Sequence, residues 1–325
     1  MLGSRGCSDH QRMDGRKRMV ELVGVCETTL WTLYHRALAA GDPGSALLDP
    51  KAIEVVDAIG YPFEGRFGTG SWGLAQGMAV RARCYDREVR RFLRDHPEGT
   101  VVSLGEGLET QFWRVDNGRV RWLGVDLPEV AALRQRLLPD VARHRTLSCS
   151  ATDERWMDEV DASRGVLIIA QGMLMYLPLD AVRQLVAGCA ARFPGAELIF
   201  DTPPAWMAAR TVRGRWRYPA GYRPPPMLWG MTAALRQKLG AVHPGIAGVR
   251  AVRVPRGRGL LCGWVLPLAS VLPVARARKP LWVTCVSFGL TEHQQVESAD
   301  DGSVGRRAGA RSPVGAAGVT PGTGR

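Results

Sequence analysis

Between Thr100 and Thr202, short apolar runs alternate with stretches of helical periodicity, and this alternation constrains the fold more than any other feature of the chain. The segments "TVVSL", "RVRWLGVD", "RTLSCS", "GVLIIAQG" and "AELIFDT" read as strands, while "LETQFWRV", "EVAALRQRLL" and "LDAVRQLVAGCAARF" read as the helices between them. "GVLIIAQG" is apolar without interruption, as expected of a central parallel strand covered on both faces. Strands interleaved with helices in this way imply an α/β fold built on a doubly wound, mostly parallel sheet. "GLLCGWVLP" and "LWVTCVSFG" read as two closing strands, which brings the sheet to seven.

Around this core the pattern is helical on one side and proline-broken on the other. A helix is expected from Val20 to about Ala40. A second begins after Asp49 and Pro50, an N-cap followed by proline in the first turn. A third is expected from about Leu74 to Leu93, ended by His96 and Pro97. Residues 1–18 and 290–325 are polar or Gly/Ala/Arg-rich and read as disordered. The rest, 19–289, reads as a single domain: N-terminal helices at 19–98, a ligand-binding core at 99–202, a lid insertion with a helix at 203–258, and closing strands at 259–289.

Composition narrows the function classes. The polar first eighteen residues do not resemble a secretory leader, and the longest uncharged run, Gly259 to Ala275, contains Pro267 and Pro273 and is short of a membrane span. The seven cysteines form no Cys-x-x-Cys pair, which argues against a disulfide framework or a zinc site and fits a reducing cytoplasm. No metal is expected. Met1 to Asp201 carries 25 basic and 27 acidic residues, whereas Thr202 to Thr291 carries 14 basic residues and no acid. Such a segment favours an anionic partner. Its aromatics do not interleave with the arginines in any nucleic-acid motif, so no nucleic-acid partner is expected.

The stretch "VVSLGEGLET" places two glycines directly after the first strand. Gly105 permits a tight turn, and Gly107 permits close approach of backbone to a ligand. Nineteen residues beyond Gly107, the second strand ends at Asp126, where an acid is the usual partner of ribose hydroxyls. Strand, glycine turn, helix and acid together point to an adenosine-containing ligand at the carboxyl edge of the sheet. The dinucleotide fingerprint asks for Gly or Ala at position 110, and Thr110 stands there. That disfavours NAD without deciding between NAD and S-adenosylmethionine.

The motifs "VVSLGEGLETQFWRV", "RWLGVDLPEV", "LIIAQGMLMYL" and "ARFPGAELIFDTPP" resemble those of the leucine carboxyl methyltransferase-like family of class I S-adenosylmethionine-dependent methyltransferases, which have a Rossmann-like fold. The resemblance runs from about Val20 to Gly289 and implies S-adenosyl-L-methionine as cofactor. It further implies that Arg81 grips the methionine carboxylate, with Arg83 as the competing candidate. Gly105 and Gly107 match the cofactor loop, Asp126 the ribose acid, and Asp153 an acidic position near the adenine. Gln171 stands where the family commonly carries an acid; it can hydrogen-bond but brings no charge to the cofactor's amino group. Tyr176 matches a tyrosine at the mouth of the site and is the candidate catalytic residue.

The activity this implies is O-methylation of a carboxylate, or a hydroxyl, on a small-molecule or peptide acceptor. A hydroxyl acceptor needs a general base, for which His243 is the weak candidate. The N-terminal helices and the insertion from about Pro203 to Gly230 are expected to form a lid. A nicotinamide-dependent oxidoreductase and a non-catalytic adenosyl-binding protein are the alternative readings.

Overall fold

Every residue of the strand Val166–Ala170 is buried, and the sheet is built outward from it. The computed structural model describes residues 22–218, 221–255 and 281–290. In chain order the elements are α1 (Glu27–Gly41), α2 (Pro50–Ala58), α3 (Phe63–Phe67), α4 (Trp72–Asp95), β1 (Thr100–Leu104), α5 (Gln111–Val115), β2 (Arg121–Asp126), α6 (Pro128–Leu137), β3 (His144–Ser148), α7 (Arg155–Asp158), β4 (Val166–Ala170), α8 (Leu179–Arg192), β5 (Glu197–Thr202), α9 (Ala205–Val212), α10 (Ala233–Leu239), β6 (Ile246–Ala251) and β7 (Trp282–Phe288). The seven strands lie in the order β3-β2-β1-β4-β5-β7-β6. β1 to β5 are mutually parallel, and β7 runs antiparallel to both β5 and β6. The chain reverses its direction of winding between β1 and β4, the edge at which ligands bind in such sheets.

Period-two alternation in the strands divides the core between the two faces. Val102, Leu104, Ile168, Leu198 and Phe200 face α8, with its Val182, Leu185, Val186 and Cys189. Val101, Leu167, Ile169 and Ile199 face the other way, toward Val89 and Phe92 of α4 and Phe112 of α5. A separate aromatic core holds the N-terminal helices: Leu30, Leu33, Tyr34, Phe63, Phe67 and Tyr222.

Three sequence expectations shift. α1 starts at Glu27, not near Val20, because Gly24 sits at φ 61°, outside the right-handed helical region. α5 starts at Gln111, three residues later than its sequence pattern predicts. Gly107 sits at φ 58° and Thr110 at φ −110°, ψ 17°, both away from helical values, so the helix begins only at Gln111. The sixth strand is Ile246–Ala251, inside the stretch predicted to be lid; it pairs with β7 at the sheet edge. The predicted closing strand "GLLCGWVLP" lies outside the described residues.

Candidate active site

The carboxyl ends of β1, β2 and β4, together with α1 and Arg81 of α4, enclose a cavity of about 240 Å³. Gly105, Gly107, Asp126, Gln171 and Tyr176 all line it, as does Arg81; Arg83 does not. Ser150 and Ala151, beyond β3, complete the wall next to Asp126.

The glycine turn is shaped from both sides. Gly105 and Gly107 adopt φ of 61° and 58°, values that L side chains rarely take. A Cβ on Gly105 would stand 2.6 Å from Met173, and one on Gly107 would collide with the Thr29 side chain. The space at Gly107 is therefore filled by α1, and the close approach its sequence position predicts is to Thr29. Leu108 N–H donates to Thr29 Oγ1 at 2.7 Å, and Gly107 N–H donates to Asp126 Oδ2 at 2.6 Å. Behind the loop, fully buried Arg134 donates to the carbonyls of Gly107 and Glu109 and pairs with Glu106 at 3.0 Å. Glu106 thus points back into the protein, where it also accepts from Trp122 Nε1.

Asp126 accepts two backbone N–H bonds, from Gly107 and Leu127, yet burial outweighs them and raises its carboxyl to about 6. Arg81 is held by Asp201, at the end of β5, with Nε 3.2 Å from one carboxylate oxygen and Nη2 3.4 Å from the other. Asp201 also accepts from Tyr85, one turn along α4 from Arg81, and from Gly172 N–H, so a single buried carboxylate fixes both α4 and the turn after β4. Among the described residues the remaining guanidinium nitrogen of Arg81 meets only the Met78 sulfur, at 3.8 Å.

Thr110, the departure from the dinucleotide fingerprint, is fully buried. Its hydroxyl contacts Asp49 at 2.7 Å and accepts from Arg114, so Thr110 joins the N-cap of α2 to the core. A third glycine there would forfeit that bond.

Two candidates stand apart from the cavity. Asp153 is turned into a local pair with Arg155 at 2.7 Å, and Ser150 and Ala151 occupy the wall instead. His243 follows α10, accepts from Gly245 N–H, and does not line the cavity. The sequence reading missed Arg36, Glu109, Thr29 and Asp201. Asp201 carried the same signal as Asp126, an acid closing a strand at the ligand-bearing edge. Arg36 stood out only as a charge within the otherwise apolar stripe of Leu30, Leu33, Tyr34 and Ala37.

Comparison with known proteins settles the family. A family profile described as leucine carboxyl methyltransferase matches residues 36–190. The tetracenomycin polyketide synthesis O-methyltransferase TcmP of Streptomyces glaucescens is 34% identical over 188 residues, covering 58% of this chain and 69% of that protein. The chain belongs to the leucine carboxyl methyltransferase family. A fungal relative, the S-adenosyl-L-methionine-dependent methyltransferase dpfgK of Gibberella zeae, is 29% identical over 206 residues, covering 58% of this chain and 69% of its own length. The cofactor is S-adenosylmethionine, and the nicotinamide alternative falls with that membership. The cavity suits it: a cradle in which a Cβ on Gly105 or Gly107 would collide with its neighbours, a carboxylate closing β2, an arginine with one nitrogen against only a weakly accepting sulfur, and a buried Gln171 Oε1 without a partner among the described residues.

Among the described residues no group of His, Cys, Asp or Glu is arranged to hold a metal, and no helix is long and apolar enough to cross a membrane.

Proposed function

We propose that this methyltransferase acts on a carboxylate oxygen of a small-molecule or peptide acid. The observation that carries the reading is the absence of an available base among the described residues lining the cavity. No histidine or lysine lines it, and Asp126, the carboxylate raised to about 6, accepts from the Gly107 and Leu127 N–H groups and is assigned here to the ribose hydroxyls. Glu106 and Glu109 are committed to buried ion pairs. Burial and the bond to Glu129 push the Cys26 thiol up to about 12, so it stays protonated. Burial, with Tyr218 nearby, raises the Tyr176 phenol as well. A hydroxyl acceptor needs its proton removed at neutral pH, whereas a carboxylate arrives ionised.

Bound S-adenosylmethionine supplies an electrophilic methyl carbon on a sulfonium, and the new C–O bond forms as the C–S bond breaks. In this reading Arg81 holds the methionine carboxylate, Asp126 the ribose hydroxyls, and Gly105 and Gly107 shape the floor. Tyr176, neutral and without a hydrogen-bond partner among the described residues, donates to the acceptor carboxylate and aligns it. Well-oriented reacting groups gain roughly 7–11 kcal/mol over their free counterparts, so alignment can provide most of the acceleration. Exposed Arg210, Arg213, Arg215, Arg217 and Arg223 give an anionic acceptor a favourable approach. The name of TcmP, an O-methyltransferase, agrees with oxygen as the acceptor atom.

Product chemistry separates the two acceptor classes. Incubation with radiolabelled S-adenosylmethionine and panels of carboxylic acids and phenols is expected to yield a product that releases labelled methanol in mild alkali. An alkali-stable ether as the sole product would contradict the reading.

A further inference from the structure

Gln171 directly follows β4 and lines the cavity, and the structure puts a carboxylate behind it. Gln171 Nε2 donates to Glu109 Oε2 at 3.3 Å, and Gln171 Oε1, beside the cavity, has no partner. Glu109 lies within a buried cluster in which it pairs with Arg36 at 2.6 Å and with Arg114 at 3.0 Å. Arg114 in turn pairs with Asp49 and Asp86. Burial opposes the charge on Glu109, but Arg36 and Arg114 outweigh it and hold the carboxyl at about 2, so it is ionised. An ionised carboxylate only accepts, which fixes the amide with its NH₂ toward Glu109 and its carbonyl oxygen free. Gly172, the next residue, abuts the Arg81 guanidinium. A group bonded to the same carbon as a carboxylate held by Arg81 therefore lies within reach of Gln171.

We propose that Glu109 is a positioning residue for the cofactor: it orients Gln171 so that Oε1 accepts from the amino group of the methionine moiety, and it places a negative charge behind that amide. This inference rests on the cofactor and is independent of the acceptor class.

The test exploits a truncated ligand. S-Adenosylhomocysteine carries the amino-acid tail, and 5′-methylthioadenosine lacks it. Calorimetry on the full chain is expected to show that Glu109→Gln weakens S-adenosylhomocysteine about tenfold, or about 1.4 kcal/mol, while 5′-methylthioadenosine changes less than about twofold. The cluster tolerates this substitution in charge, since three carboxylates against two guanidiniums become two against two. Moving the charge, as Glu109→Gln with Gln171→Glu, is expected to restore the lost affinity. Gln171→Leu, which leaves the cluster intact, is expected to lose the preference for the longer ligand even if the Glu109 variant fails to fold. Equal weakening of both ligands by Glu109→Gln, no recovery in the double variant, or no effect of Gln171→Leu would overturn the proposal. Failure of the acceptor reading would appear separately, in the alkali lability of the product.

Discussion

At the scale of single residues, Asp126 makes the sharpest prediction. Its folded-state carboxyl is raised to about 6, chiefly by burial. An acid raised in this way binds its proton more tightly in the folded state. It costs stability above that pH, and the cost fades as the pH falls from about 6 toward the usual carboxylate range near 4. Binding has the opposite sign, because ribose hydroxyls donate to the ionised form. Affinity for S-adenosylhomocysteine is expected to fall below pH 6, approaching tenfold per pH unit, and calorimetry between pH 7.5 and 5 checks it. Asp126→Asn should bind weakly at every pH and show no such step. A wild-type affinity that is flat across this range would count against Asp126 as the ribose partner. Asp126, Gly105 and Gly107 were legible in the sequence because each signal is local, an acid ending a strand and glycines at a turn, whereas Arg81 was singled out from Arg83 only through the family resemblance. Asp153, which the resemblance puts near the adenine, does not line the cavity. A loop aspartate is satisfied as easily by a neighbour two residues away, here Arg155, as by a ligand.

Among the elements, the glycine turn depends on partners that no short window of sequence reveals. Arg134 comes from α6, Glu106 from the turn, His144 from β3 and Trp122 from β2, and they meet in one buried cluster. Removing the guanidinium leaves the buried Glu106 charge with only Trp122 Nε1 and His144 Nε2 beside it, and losing the partner of a buried charge is typically worth about 3–5 kcal/mol. Arg134→Met should therefore destabilise the chain by that order in denaturant titration, and adding Glu106→Gln should recover a substantial part. If the two substitutions prove additive, the residues do not form a coupled unit. β6 was hidden from the sequence for a different reason. "IAGVRA" is an edge strand with little buried surface, so it lacks the apolar alternation by which β1, β4 and β5 announce themselves. α5 is shorter than its pattern because helical propensity cannot see the non-helical backbone that the folded turn imposes on Gly107 and Thr110.

For the molecule as a whole, the sheet order places the crossover reversal between β1 and β4, and the cavity opens at that edge. The alternation of strands and helices carried this architecture in the sequence, because burial on both faces forces apolar runs that turns must separate. The lid expected of the N-terminal helices and of 203–230 involves contacts far apart in sequence. α1 forms a wall of the cavity through Thr29, Thr32 and Arg36, whereas the described part of 203–230 packs Tyr218 and Tyr222 against Trp31 and joins Leu228 N–H to the Met175 carbonyl. The most direct test of the central claim is a crystal structure of the chain with S-adenosylhomocysteine. The ligand is expected in the cavity beside Gly105 and Gly107, with its ribose hydroxyls on Asp126 and its carboxylate on Arg81. Ligand bound elsewhere at saturating concentration, or seated there with the ribose away from Asp126, would contradict the account.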